Sequence, residues 1–182
     1  LRVYPNGDPG ERPWNRTAHH IHRNINKRSL TIDLATDRGK ELFLELVKVC
    51  DVLVENYRGS VMGRLGLGYD VVSRLNPQII YLKISSQGAS GPEANYGSLG
   101  STLEQTGGLA SITGYEDGSP LLTNLVYPDP VVGILSFGAL MTALRSRLKN
   151  GKGCLVDLSQ REVTTMLLGE SILCLLYTSD AA

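Results

Sequence analysis

The chain has 182 residues, which is enough for one domain with a buried core. Its 18 basic and 18 acidic residues cancel, so no overall field favours binding to nucleic acid or to an anionic membrane. The three cysteines, Cys50, Cys154 and Cys174, are far apart and form no CxxC motif, which argues against a disulfide framework and favours a reducing compartment.

The two ends of the chain differ in composition from its middle. Residues 2–24 are rich in proline and arginine and show no periodicity. Residues 173–182 resemble translated adapter sequence, so we expect residues 1–172 to be part of one large domain and residues 173–182 to be a non-native tail. We find no signal peptide and no uncharged apolar run of membrane-spanning length, and we predict a cytoplasmic protein.

The first half of the chain alternates between strands and helices. The sequence predicts a helix at 37–49, capped by Thr36, whose apolar face carries Leu42, Leu46 and Val49. A short helix is expected after the loop at 56–60, and a second one, capped by Asp70, ends before Asn76 because Pro77 follows. Strands are predicted at 30–34, 52–54 and 79–84.

The second half continues the alternation. A helical segment is expected at 98–106, ending at a glycine pair, and a long apolar helix ends at Gly151. A strand at 154–158 leads into a last helix, for which Ser159 and Glu162 form a capping box. This alternation predicts an α/β fold, a Rossmann-like and largely parallel sheet flanked by helices.

The apolar helix begins at an aspartate that lies between two prolines, in the sequence Tyr127-Pro128-Asp129-Pro130. Pro130 suits the first helical position, so we expect Asp129 to be the N-cap, at the positive end of the helix dipole. Since the following helix is apolar on all sides, we expect it to be buried and Asp129 to lie in a dry pocket. The unpaired N–H groups of the first turn are candidate donors to an oxyanion.

Other motifs point to weaker hypotheses. His19, His20 and His22 lack an acidic partner nearby, so we predict no metal site. The glycine-rich run at 63–68 follows a helix and lacks GK[ST], which excludes a P-loop. Arg58 and Arg64 flank a loop after a strand end, where α/β sheets tend to bind ligands. Two arginines there suit phosphate binding, and solvated surface arginines would show the same pattern.

An ordered set of short motifs resembles the class III CoA-transferase family, which includes formyl-CoA transferase and L-carnitine CoA-transferase. The motifs cover residues 24–170, and family members are about twice as long. They include Val54-Glu55-Asn56-Tyr57, Gly63-Arg64-Leu65-Gly66-Leu67-Gly68-Tyr69, Leu75-Asn76-Pro77, Gly107-Gly108-Leu109, Gly151-Lys152-Gly153 and Val156-Asp157-Leu158-Ser159.

The resemblance implies roles for individual residues. Asp129 matches the catalytic aspartate, and Gly100 stands where formyl-CoA transferase has an acidic residue. The positions that match coenzyme A contacts are Ile32, Asp33, Leu34, Ala35, Asn56, Tyr57, Arg64, Tyr96, Gly97, Ser98 and Leu99. The large domain of an interlocked homodimer is implied, with acyl-CoA and a small carboxylic acid as substrates and no permanently bound cofactor or metal.

The implied activity is transfer of coenzyme A from an acyl-CoA to a free acid through a covalent aspartyl intermediate at Asp129. Two alternatives remain. An α-methylacyl-CoA racemase would need a histidine near Leu99, and no histidine follows His22. The chain could also be an inactive truncated fragment that binds coenzyme A weakly or only packs against partners.

Overall fold

A computed structural model describes residues 4–123 and 126–179 of the chain. The chain divides into two compact units, with the boundary after Ile32. In the first unit a 3₁₀ turn at Pro5–Gly7 precedes two helices, α1 (Pro13–Arg16) and α2 (Ala18–Asn24). Thr17 caps α2 by accepting a hydrogen bond from the His20 N–H at 3.1 Å. This segment has no periodicity in sequence, so its helices were not expected.

The second unit is built on a parallel three-stranded sheet, which confirms the predicted α/β class. Its strands are β1 (Val52–Glu55), β2 (Ile80–Ser85) and β3 (Cys154–Ser159), in the order β1-β2-β3. Val52 pairs with Ile80, and Ile80 pairs with Cys154. The three strands therefore end at the same edge of the sheet.

The predicted strand at 30–34 is wrong. The chain forms a turn there, because the Asp33 carboxylate accepts a hydrogen bond from the Ala35 N–H at 2.9 Å and the Asp33 carbonyl accepts one from the Thr36 N–H at 3.2 Å. Such local bonds from an aspartate compete with strand pairing. Helix α3 (Asp37–Val49) follows the turn directly and leads into β1.

Helices connect and cover the strands. Two short helices, α4 (Val61–Arg64) and α5 (Tyr69–Leu75), lie between β1 and β2. Helices α6 (Gly100–Thr106) and α7 (Pro128–Asn150) lie between β2 and β3, with a 3₁₀ turn at Leu109–Ile112 after α6. The remaining helices are α3 (Asp37–Val49), α8 (Gln160–Met166) and α9 (Gly169–Ser179).

Several predicted helix ends are confirmed, but the predicted start of α5 is wrong. Thr36 caps α3 by accepting from the Gly39 N–H at 3.1 Å, and Ser159 caps α8 by accepting from the Glu162 N–H at 3.2 Å. Gly151 ends α7 with a left-handed φ of 70°. Asp70 does not cap α5, because that helix already begins at Tyr69; Asp70 lies in the first turn.

The core lies where α3 and α5 cover one face of the sheet. It contains Val47, Val72, Ile79 and Tyr81, with Phe43, Leu53 and Tyr69 packed against it. The inner face of α3 is thus Phe43 and Val47. The predicted face is wrong, since the side chains it named are 38–80% exposed: Leu42, Leu46 and Val49.

Helix α7 packs on β2, β3 and α8 through one side only. Val132, Ser136 and Ala143 are buried on that side, whereas Ile134 and Phe137 are 72% and 64% exposed. The expectation of a helix buried on all sides is therefore wrong. Among the described residues, α7 is also long and apolar enough to cross a membrane; core helices of soluble proteins meet the same criterion.

Candidate functional site

A cavity of about 280 Å³ lies where the three strands end, and we call it the sheet-edge cavity. Asn56 follows β1, Ser86 follows β2 and Gln160 follows β3, so each strand delivers one polar side chain to it. In parallel α/β sheets this edge is the usual place for ligands. The described residues that line the cavity are Asn56, Tyr57, Arg58, Ser86, Gly97, Ser98, Leu99, Thr102 and Gln160.

Two charged side chains on the strands hold the loop that follows β1. The Glu55 carboxylate accepts a hydrogen bond from the Tyr57 N–H at 2.7 Å. The Lys83 Nζ, on the neighbouring strand, donates to the Gly59 carbonyl at 2.6 Å. The loop segment between these two anchors carries Tyr57 and Arg58 into the cavity, so its position is set by the sheet.

The loop after β2 is fastened to β3 and α8. The Asp157 carboxylate accepts from the Ala89 N–H at 3.1 Å, and the Arg161 N–H donates to the Ser86 carbonyl at 3.0 Å. Arg161 also forms an ion pair with Glu93. These contacts join residues distant in sequence and fix Ser86 opposite the β1 loop.

Neutral polar groups form the floor of the cavity. The Ser86 and Ser98 hydroxyls are hydrogen-bonded to each other, and the Gln87 Nε2 donates to the Ser86 Oγ at 3.0 Å. Gln160 is 8% exposed, and no hydrogen bond from its side chain to the described residues is present. An amide that lines a cavity without such a bond is a ready donor and acceptor for a bound molecule.

Arg58 is the charged residue among the nine described lining residues. Its guanidinium lies against the backbone of Gly97, where an added Cβ would come within 2.7 Å of the Arg58 Nε. Glycine at this position therefore lets the arginine lie flat on the opposite wall. Arg58 forms no ion pair within residues 4–123 and 126–179, so its charge is available to an anion.

Two ionisable groups below the cavity have raised pKa values. Burial raises the pKa of Glu55, although the Tyr57 N–H and the charge of Lys83 act in the opposite direction. Burial also raises the pKa of Tyr81, and the nearby Glu55 carboxylate adds to that effect. Tyr81 is therefore neutral, and its ring packs edge-on against Tyr69 with centroids 5.9 Å apart.

The structure brings some of the residues predicted to contact coenzyme A together and leaves others apart. Five line the cavity: Asn56, Tyr57, Gly97, Ser98 and Leu99. Arg64 ends α4 with an exposed side chain, and Tyr96 is 61% exposed; neither is among the lining residues. Asp33, Leu34 and Ala35 form the turn before α3, and Ile32 belongs to the first compact unit.

Sequence reasoning missed three lining residues: Ser86, Thr102 and Gln160. The first and last were accessible to the strand-end argument used for Arg58 and Arg64, since each lies two residues after a predicted strand. Thr102 offered no such signal, because its contribution depends on how α6 is placed against the sheet.

Asp129 is the second residue of α7, not its N-cap. The helix begins one residue earlier than predicted, at Pro128, and Tyr127 precedes it. The prolines on both sides have no N–H, and the Asp129 N–H itself is donated to the Val126 carbonyl at 3.0 Å. The first three helical positions therefore offer no free donor to an oxyanion, which corrects that expectation.

Asp129 is also exposed, so the dry pocket expected around it is not formed by the described residues. The reason is the one-sided packing of α7: Pro128, Val132 and Ser136 lie on its buried side, whereas Asp129 lies off that side. The carboxylate keeps a favourable place in the first turn of a helix of 23 residues, where the helix dipole stabilises negative charge.

Comparisons with known proteins agree on one family. The model of CoA-transferase family III matches residues 4–181. The chain is 34% identical over 152 residues to succinyl-CoA:glutarate CoA-transferase of Mus musculus, covering 84% of this chain and 33% of that protein. It is 33% identical over 159 residues to acetyl-CoA:oxalate CoA-transferase of Acetobacter aceti, covering 87% and 41%.

A solved structure extends the similarity to the fold. A CaiB/BaiF family protein from Brucella suis superposes with a TM-score of 0.85 at 29% identity, covering 98% of this chain and 46% of that protein. The chain thus spans between a third and a half of the length of these three proteins.

Proposed function

The chain belongs to CoA-transferase family III, and from that premise we propose that it serves the transfer of coenzyme A between an acyl-CoA thioester and a free carboxylic acid. The observation that carries the proposal is the sheet-edge cavity, a polar cavity with one arginine at the carboxyl ends of parallel strands. Coenzyme A is a substrate in this proposal, and no permanently bound cofactor is needed.

The sheet-edge cavity suits one part of coenzyme A. At about 280 Å³ it lies just below the roughly 300–1,000 Å³ typical of small-molecule sites, so it is too small for the whole molecule. Asn56, Ser98 and Gln160 present amide and hydroxyl groups that pair with amides or hydroxyls of a ligand. Arg58 suits a phosphate at its mouth, and Arg64 is proposed to meet a phosphate outside the cavity.

Asp129 is the proposed nucleophile. Two features of the structure support this role: the carboxylate is exposed, and so within reach of a substrate, and it lies in the first turn of α7, which favours the ionised form that attacks. Because the neighbouring prolines contribute no N–H, any donor to the tetrahedral oxyanion must come from outside residues 128–130.

The proposed reaction has two symmetrical halves. The Asp129 carboxylate attacks the acyl carbonyl, the C–S bond breaks, and a mixed anhydride and coenzyme A thiolate form. The thiolate then attacks the aspartyl carbonyl, releasing the donor acid and leaving an aspartyl-CoA thioester. The acceptor carboxylate attacks that thioester, which releases the coenzyme A thiolate and forms a second mixed anhydride. The thiolate then attacks the acceptor carbonyl of this anhydride, which gives the new acyl-CoA and frees the Asp129 carboxylate.

We also propose that the protein forms the homodimer that the resemblance implies, and the exposed side of α7 supports this. Ile134, Phe137 and Met141 follow one another at helical spacing and are 49–72% exposed. An apolar strip of this kind is typical of an interface.

The test of the nucleophile is Asp129→Asn in a full-length protein that carries these residues. Asparagine keeps the size and polarity of the side chain but cannot form an anhydride, so we expect kcat to fall by at least roughly 10⁴-fold while the Kd for coenzyme A stays within about twofold. During turnover of the unmodified protein, hydroxylamine should label Asp129. Asp129→Asn with unchanged transfer rates would refute the proposal.

A further inference from the structure

Helix α6 carries a buried carboxylate that the proposed chemistry does not use. Glu104 is 1% exposed, and no lysine or arginine of the described residues pairs with it. Both of its oxygens instead accept hydrogen bonds from one residue: Oε2 from the Thr123 N–H and Oε1 from the Thr123 Oγ1, each at 2.7 Å. A buried carboxylate is unfavourable unless such bonds compensate it.

The same face of α6 makes a second contact with the same stretch of chain. Gly100 lies one turn before Glu104, and an added Cβ at Gly100 would come within 2.6 Å of the Val126 Cβ. The side chain of Val126 therefore occupies the space next to Gly100, at the position where the resemblance places an acidic residue. Residues 123 and 126 are thus held against α6 at two points one turn apart.

Val126 adjoins Asp129 and has a strained backbone. Its φ is 46°, a left-handed value that a β-branched residue rarely adopts. Its carbonyl accepts the Asp129 N–H at 3.0 Å. A strained residue keeps its conformation only where surrounding contacts impose it, and here the contacts come from Gly100 and from the bonds between Glu104 and Thr123.

We propose that Glu104 is a positioning residue for the reaction: through Thr123 it fixes the segment that sets the start of α7 and, with it, the Asp129 carboxylate. This inference rests on the proposed role of Asp129. It assigns Glu104 no contact with substrate and no proton transfer. Its effect is geometric, since a nucleophile displaced by about 1 Å loses roughly 10²-fold in rate.

The experiment compares Glu104→Ala, Glu104→Gln and the exposed neighbour Gln105→Ala in a full-length protein that carries these residues. Glu104→Ala should lower kcat by roughly 10²-fold and leave the Kd for coenzyme A within about twofold. Glu104→Gln should restore most of kcat, because its carbonyl accepts from the Thr123 N–H and its amide donates to the Thr123 hydroxyl. Gln105→Ala should behave as the unmodified protein.

Hydrogen exchange at the Thr123 amide gives a readout that does not depend on activity. Exchange should accelerate in Glu104→Ala and stay slow in Glu104→Gln. If Glu104→Ala does not fold, Thr123→Val replaces it; this variant removes only the hydroxyl bond and should lower kcat by roughly tenfold.

Two results overturn the inference. If kcat is unchanged in folded Glu104→Ala or in Thr123→Val while Asp129→Asn shows a large loss, the positioning role is wrong and the proposed function stands. Wild-type rates in Asp129→Asn overturn the proposed function, and the positioning role with it.

Discussion

The sheet-edge cavity and the start of α7 differ in how much of each the described residues build. The cavity has walls from all three strand ends, anchored by contacts such as Lys83 to Gly59 and Asp157 to Ala89. Asp129, by contrast, is exposed at the end of a helix whose other side packs on the sheet. A polar cavity is thus built within one α/β unit, whereas the described residues leave Asp129 exposed.

The comparison also separates two kinds of anchoring. Sheet residues hold the cavity loops, so the strands set the position of these loops. The segment before Asp129 is instead held by one helix, α6, through a buried carboxylate and a close approach at glycine. Substitutions in these two regions should therefore change binding and chemistry independently.

Among the changes in binding and stability, the largest is expected at the arginine of the cavity. Arg58→Ala should weaken coenzyme A binding by about 1–3 kcal/mol, roughly 5- to 150-fold in Kd, because a charge-assisted hydrogen bond to phosphate is lost. Titration calorimetry measures the change. Arg64→Ala is the matched comparison. A loss of affinity of similar size would support the proposed phosphate contact of Arg64, and an unchanged affinity would show that Arg64 is only solvated surface. An unchanged Kd in Arg58→Ala would contradict the proposed use of the cavity.

An intermediate effect is expected from the buried carboxylate below the cavity. Burial raises the pKa of Glu55 in the folded chain, so its contribution to stability is fully present below its unfolded pKa of 4.5 and is lost as pH rises through the folded value. Lys83 on the adjacent strand β2 and Asp157 on β3 act on the same group, the first lowering its pKa and the second raising it. Glu55→Gln keeps an acceptor for the Tyr57 N–H and removes the ionisation.

The stability of Glu55→Gln relative to the unmodified protein should therefore increase as pH rises from 4 to 7, with each unit of pKa difference corresponding to about 1.4 kcal/mol. Urea unfolding at a series of pH values measures this difference. Exposed Glu116→Gln controls for the loss of one carboxylate. A difference that is constant or falls with pH would show that burial does not dominate at Glu55.

The smallest effect concerns the stability of α7. Asp129→Ala removes a negative charge from the first helical turn, where the interaction with the helix dipole contributes about 0.3–1 kcal/mol at an exposed position. The loss is expected to be smaller than that of an N-cap because Asp129 is the second residue of the helix. Thermal unfolding at low and high salt measures it, and a loss above about 2 kcal/mol would indicate a structural role for Asp129.

Local sequence signals determined many of the elements. The caps at Thr36 and Ser159 and the glycine at the end of α7 act within three or four residues, so they operate before any tertiary contact forms. The pair Asn56-Tyr57 directly follows β1, and the resemblance predicted it in the site; the strand end itself was used for Arg58 and Arg64. Family membership was also recognisable from ordered motifs.

Tertiary structure alone decided the rest. The inward face of α3 is Phe43 and Val47 because α5 and the sheet meet it there, a choice that periodicity within α3 could not make. Whether residues 30–34 pair as a strand depends on tertiary contacts, and in the structure the chain forms the turn at Asp33 through its local hydrogen bonds. Glu104 meets Thr123 across 19 residues of chain, and such a pair depends on how α6 lies against the sheet. Contacts of this range follow from topology, whereas caps and turns follow from neighbouring residues.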